Sequence, residues 1–143
     1  MAIYLVGVGA SAVKFTVGGT DLTDHLKSIT INQDFDDQDV TAMNAITHAH
    51  AVGLRDDSWD IEMFQDYASS SVDSVFNGIL GSSTGATFVF QTSGTTVSTT
   101  NPKYTMVGAL FSYNPIDGSV GDPSMIKINV KPVAGSSTVR ATS

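Results

Sequence analysis

Four stretches of this sequence carry residues that could do chemistry. His48-Ala49-His50 offers two imidazoles two residues apart. A zinc centre needs three or four ligands in a fixed set, and no further ligand spacing accompanies the pair, so both histidines read as solvent- or interface-facing. Asp34, Asp36, Asp37 and Asp39 crowd together, but the Gly and closing Glu of a calcium loop are missing, so they read as a solvated acidic face. Gly7-Val8-Gly9-Ala10-Ser11-Ala12 fits the G-x-G-x-x-A dinucleotide fingerprint. That motif works through a helix N-terminus that holds the pyrophosphate, and a strand-like run, Val13-Lys14-Phe15-Thr16-Val17, follows instead. Gly81-Ser82-Ser83-Thr84-Gly85 fits the G-x-S-x-G nucleophile elbow, which requires a strand before the serine and a helix after it. Here the order is reversed, and no His lies downstream of Ser83 to act as base. Catalysis has no credible constellation, and no metal or cofactor is expected.

The bulk properties point the same way. With 143 residues the chain fits one domain. Hydrophobic residues make up 41% and charged residues only 15%, so a packed core is affordable and the surface must be neutral-polar. There is no Cys, which excludes disulfides and thiolate chemistry. Fourteen carboxylates against seven Lys and Arg give a net charge of −7. Such a chain does not grip a phosphate backbone, although it suits a surface past which DNA must slide. No run has the length of a membrane span. The apolar start, ending in Ala10-Ser11-Ala12, looks like a signal core but lacks a basic leader, so 1–12 reads as a Gly-rich arm.

Most of the chain reads as strand. A strand over 13–17 closes on Gly18-Gly19, a hairpin dipeptide. A polar turn follows at 21–25. Over 26–35, Ile29, Ile31 and Gln33 alternate with Ser28, Thr30 and Asn32, as in a strand with one buried face. Trp59, Ile61 and Met63 alternate with Ser58, Asp60 and Glu62 in the same way. The one convincing helix spans about 70–81. Val72, Val75, Phe76, Ile79 and Leu80 fall on one stripe that must pack on a sheet, with a Ser70/Asp73 capping arrangement and Gly81 as the stop. Strands follow over 87–92, 104–113 and 125–133, the second with Gly108 inside it as a bulge or close backbone contact. Ile126, Ile128 and Val130 point inward. After Gly135 the tail, 136–143, reads as small, polar and mobile.

Between the early strands lies a stretch, 36–57, with neither period. Loops this long inside a domain are usually functional or disordered. Yet Val40, Met43, Ile46, Val52 and Leu54 make it too apolar for a disordered linker. An ordered segment with exposed apolar residues wants a partner.

The segment QDVTAMN…VGLRDDSWDIEMFQDYASSSVDSVFNGILG, followed by NPKYTMVGALFSYNPIDGSVGDPSMIKINVKPVAG, resembles the major tail tube proteins of long-tailed bacteriophages. The resemblance runs over roughly 29–135 and rests on the order of its parts. His48-Ala49-His50-Ala51 departs from the bulky aromatic or basic residues that the pattern favours there. It implies an antiparallel β-sandwich or half-barrel with one flanking helix, occupying 13–135. It also implies hexameric rings closed by side-by-side sheets and stacked into a tube through which DNA follows a tape-measure protein. Tail-tip or baseplate and tail-terminator proteins would be further partners, and the virion tail the location. On this reading 36–57 is an inter-ring loop, with Val40, Thr41, Met43, Ile46, His48, His50, Val52, Leu54 and Arg55 as its contact residues. Asp34, Asp36, Asp60 and Glu62 would face the lumen. The competing class is a monomeric glycan-binding or adhesin-type β module, for which Trp59 would be a stacking platform; as a core or interface anchor it fits the first reading better.

Overall fold

The computed structural model describes residues 13–143. The arm expected over 1–12, with its dinucleotide-like motif, lies outside them. The described residues form eight strands and one α-helix: β1 (Lys14–Val17), β2 (Thr20–Asp21), β3 (Leu26–Asp39), β4 (His50–Phe64), α1 (Val72–Ile79), β5 (Ala86–Gln91), β6 (Lys103–Leu110), β7 (Met125–Pro132) and β8 (Val139–Ala141), with a 3-10 turn at Thr23–His25. All strand pairs are antiparallel, in the order β2-β1-β5-β6-β7-β4-β3, and β8 adds to β6. The fold is mainly β with one helix, as the alternation patterns require.

Alternation decides which face is buried. Paired residues in antiparallel strands share a face. Ile61 with Ile128, Met63 with Ile126, Phe88 with Met106 and Phe15 with Phe90 are such pairs, and all are buried. The sheet curls so that this face closes on itself. Trp59 on β4 meets Phe88 on β5 edge-on with ring centroids 6.4 Å apart, although β6 and β7 lie between their strands. Close packing at Gly108 leaves no room for a side chain: an added Cβ would lie 2.3 Å from Val130 Cγ1. Each fully buried Phe or Ile stabilises by roughly 1.5–3 kcal/mol, so this shared face is the main source of the fold's stability.

Helix α1 caps the open side through Val72 and Phe76, both fully buried, with Val75 and Ile79 half-buried beside them. Leu80 departs from the expected stripe. It lies past the last helical residue, 40% exposed, where its backbone bridges Leu110. The expected capping box is also replaced. The N-cap is Ser71, whose hydroxyl donates to Asp66 (2.6 Å) and accepts no N–H of its own helix, and Ser70 adopts a φ of 57°. Gly81 stops the helix at a φ of 75°, as its position predicts.

Two segments are more ordered than their composition suggests. The stretch 36–57 is mostly strand, because β3 runs on to Asp39 and β4 begins at His50, leaving only 40–49 as loop. Period-two patterning is lost there because neither face of this ribbon is buried. Within 136–143, β8 pairs with β6 and Thr138 is buried. Its anchors are side-chain hydrogen bonds, which leave no hydrophobic pattern to read.

Candidate assembly surface

Strands β3 and β4 are the longest of the molecule, and they do not end where the sheet ends. β7 pairs with β4 only over 59–64, whereas β3 and β4 stay paired from Leu26/Met63 out to Asp39/His50. Beyond Asp57 the pair is therefore a two-stranded arm. A bulge between Phe35 and Asp37 turns it, with Gly53 opposite; a Cβ there would sit 2.9 Å from Asp36 Cβ. Isolated two-stranded ribbons are marginal in water, so this arm needs either internal fastening or a partner.

It has fastening at both ends. At the root, Arg55 donates through Nε to Asp57 (2.8 Å) and through its second guanidinium nitrogen to Gln33 (3.1 Å) and the Thr138 carbonyl (2.8 Å). Its guanidinium also lies 5.4 Å from the Phe35 ring centroid. Asp57 is buried and accepts the Thr138 N–H at 2.6 Å. Burial would push its carboxyl pKa up, but Arg55 and the Thr138 N–H more than offset this and hold it below the usual range. At the tip, Val40 N–H donates to Ala49 O (2.8 Å), Thr41 N–H to Asp39 (2.9 Å) and Ala49 N–H to the Thr41 hydroxyl (2.9 Å). These bonds give 40–49 a defined shape. The Thr41 hydroxyl also donates to Asp39, and these Thr41 contacts lower that carboxyl's pKa.

Beside its exposed carboxylates and histidines, the arm presents a set of apolar side chains outward. Met43 and Ile46 are as exposed as free residues, and Val40, Val52 and Leu54 are largely exposed too. Of the residues expected to make contacts, the arm brings Val40, Thr41, Met43, Ile46, His48, His50, Val52 and Leu54 to its outer part. Arg55 instead faces its own chain. Each histidine turns to a carboxylate of β3, His50 to Asp37 at 2.8 Å and His48 to Asp39 at 3.5 Å. No group of three or more metal-capable side chains occurs among the described residues.

The acidic residues fall into two places. Asp34, Asp60 and Glu62 share the face of the sheet opposite the core, since Thr30 pairs with Asp60, Ser28 with Glu62 and Asp34 with Asp56. Asp60 accepts from Asn32 (3.0 Å) and Asn129 (2.6 Å), and Glu62 contacts Lys27 at 3.5 Å. Asp60 and Glu62, with Ser28, Thr30 and Lys127, line a shallow groove of about 370 Å³, which Asp34 does not reach. Asp36 lies apart, at the bulge. Asp56, which the sequence reading passed over, joins the face and pairs with Lys131 at 3.2 Å. Asp57 was equally missed, although its spacing of two from Trp59 puts it on the core face.

Trp59 is fully buried, with its indole N–H on the Thr138 hydroxyl at 3.0 Å, so it cannot act as a sugar-stacking platform. The G-x-S-x-G stretch is the turn between α1 and β5, with Ser82 and Thr84 hydroxyls bonded to each other at 3.0 Å.

No family model matches this sequence, and no curated protein matches it. Solved structures do share its fold. A chain from the virion of a native gene transfer agent particle superposes with a TM-score of 0.65 at 12% identity, covering 89% of this chain and 95% of that one. A chain from the tail of an empty gene transfer agent particle, solved with helical refinement and C6 symmetry, gives 0.63 at 14% identity over 90% and 95%. A chain from the extended sheath–tube complex of an extracellular contractile injection system gives 0.67 at 9% identity over 98% and 93%. At these identities the likeness is one of fold.

Proposed function

We propose that this chain is a structural subunit of a tail tube, built as hexameric rings that stack into a conduit for DNA. The observation that carries the reading is the arm. A two-stranded ribbon with a shaped, apolar, fully exposed tip extends from a well-packed core, and a monomer has no use for it. The fold shared with chains of tails and of a sheath–tube complex supports the same role.

On this reading the tip of the arm makes the contact between successive rings. The free edge of β3, fourteen residues long, is a liability in a monomer and is covered when rings close. The polar face bearing Asp34, Asp60 and Glu62 lines the lumen. Its four carboxylates, Asp56 included, outnumber Lys27, Lys127 and Lys131, which leaves the face without the cationic excess needed to grip a passing duplex. Tape-measure, tail-tip or baseplate and tail-terminator proteins are the partners this role calls for, and the virion tail is its location.

The test is negative-stain microscopy of the purified protein beside a variant with 40–49 replaced by Asn-Gly. Because Asp39 and His50 are paired, a two-residue turn can join them without disturbing either strand. Long tubes from the parent and none from the folded variant are expected. Tubes of normal length from the variant would remove the arm from the assembly.

A further inference from the structure

The arm tip needs a surface to meet, and the molecule carries a candidate at its other end. β4 starts at the tip with His50 and ends at Phe64, and β6, which runs in the same direction, ends at Leu110. The connection 111–124 then spans the end of the sheet away from the arm and rejoins it at Met125, the partner of Phe64. It is held there by hydrogen bonds. Tyr67 OH donates to Pro115 O (2.6 Å), Gln65 N–H to Ser124 O (2.9 Å), and the Gln65 side-chain amide to Tyr113 OH (2.8 Å). This fastened loop nonetheless leaves Ile116 largely and Val120 fully exposed to solvent.

We infer that the surface around Ile116 and Val120 is the seat for the arm tip of another copy of this chain. The inference rests on the self-assembly reading and adds the receiving half of the contact. Three observations favour a second copy as the occupant. Fifteen residues of β4 put the two apolar surfaces roughly 46 Å apart at about 3.3 Å per residue, so one molecule does not bring them together. They lie at opposite ends of the same strands, the arrangement of a head-to-tail contact that repeats.

Charge is the third. The seat end carries exposed Asp24, Asp117 and Asp122. The arm end carries Lys103, at the start of β6, and Arg140, which enter no ion pair among the described residues, while its own carboxylates Asp37 and Asp39 are turned to His50 and His48 and Asp36 lies back at the bulge. Head-to-tail stacking sets the seat's carboxylates toward Lys103 and Arg140, the two cations of the arm end without an ionic partner of their own. The tip itself has no Asp, Glu, Lys or Arg in 40–49, so its burial carries no cost of desolvating a charge from those residues.

The chain has no cysteine, which makes disulfide trapping clean. The full-length double variant Ile46→Cys/Val120→Cys is assembled and oxidised, then run on a non-reducing gel beside each single variant. A ladder of covalent multimers from the double variant, with nothing beyond dimers from the singles, is the expected result. Separately, Ile116→Glu/Val120→Glu should keep its circular dichroism and melting temperature but lose elongation. Mixing it with Met43→Glu/Ile46→Glu should restore one contact per pair, giving paired species and no polymer. Parent tubes with no ladder, together with normal elongation of Ile116→Glu/Val120→Glu, would overturn the seat while leaving self-assembly standing. A parent that stays monomeric at high concentration would overturn both.

Discussion

Trp59 and Thr138 are 79 residues apart in sequence and joined by one buried hydrogen bond, indole N–H to hydroxyl, at 3.0 Å. Around it the Asp57 carboxylate takes the Thr138 N–H and Arg55 takes the Thr138 carbonyl. The C-terminal segment is thereby fixed to the root of the arm by three polar contacts. Thr138→Val keeps the shape and removes the hydroxyl, leaving a buried indole N–H without its acceptor. A loss of about 1–3 kcal/mol is expected, read by urea unfolding followed through the single tryptophan. A mobile tail would show no change.

Acid should weaken the fold in a defined window. Asp57 titrates below its ordinary value of 3.8 when folded, as do Asp66, held by Ser71, and Asp21, held by Thr23. A depressed folded pKa contributes stability that is fully present above the unfolded value and lost as pH falls through the folded one. Stability should therefore be flat above about pH 5 and decline progressively below about pH 4. Asp57→Asn should be less stable at neutral pH and show a shallower decline, measured by urea midpoints across the pH series.

Glycines separate by what surrounds them. At Gly85, φ is +64° and a Cβ would lie 2.2 Å from the Gly108 carbonyl oxygen, which is backbone and cannot step aside. Gly85→Ala should cost more than about 2 kcal/mol or prevent folding. Gly78 lies inside α1 with nothing within 4 Å of such a Cβ. Gly78→Ala should stabilise by about 0.5–1 kcal/mol, seen as a raised melting temperature.

The helix offers a second contrast. Phe76 is fully buried and packs near Tyr113, ring centroids 6.2 Å apart, so Phe76→Ala should cost about 3–5 kcal/mol. Leu80, past the helix end and substantially exposed, should tolerate Leu80→Ala within about 1 kcal/mol. Equal costs for the two would mean that the apolar stripe extends as the sequence periodicity suggests. Thermal unfolding of both variants decides it.

The sequence is legible wherever one face is buried. Trp59, Ile61 and Met63, or Ile126, Ile128 and Val130, show their strand by alternation, and Val72, Val75, Phe76 and Ile79 show their helix. Gly108 marked its own close contact. Where both faces meet water, that signal vanishes: the outer halves of β3 and β4 look irregular although they are paired on both sides of the bulge at Asp36. The tail fails for another reason, since Thr138 is held by polar bonds to Asp57, Arg55 and Trp59, all distant in sequence. Of the candidate contact residues, the apolar ones were found by their misfit with a solvated loop. Ile116 and Val120 carry the same misfit, but Pro115 and Asp117-Gly118 around them read only as a turn.

No residue between 32 and 56 belongs to the buried core. The tip, 40–49, can therefore be rewritten without touching the core or the Arg55 contacts, leaving only the proposed partner surface to judge it. If that surface belongs to the same gene product, every inherited change at the tip is presented at once by all copies. A variant that fits poorly would then act dominantly in a mixed population, ending each growing polymer it joins.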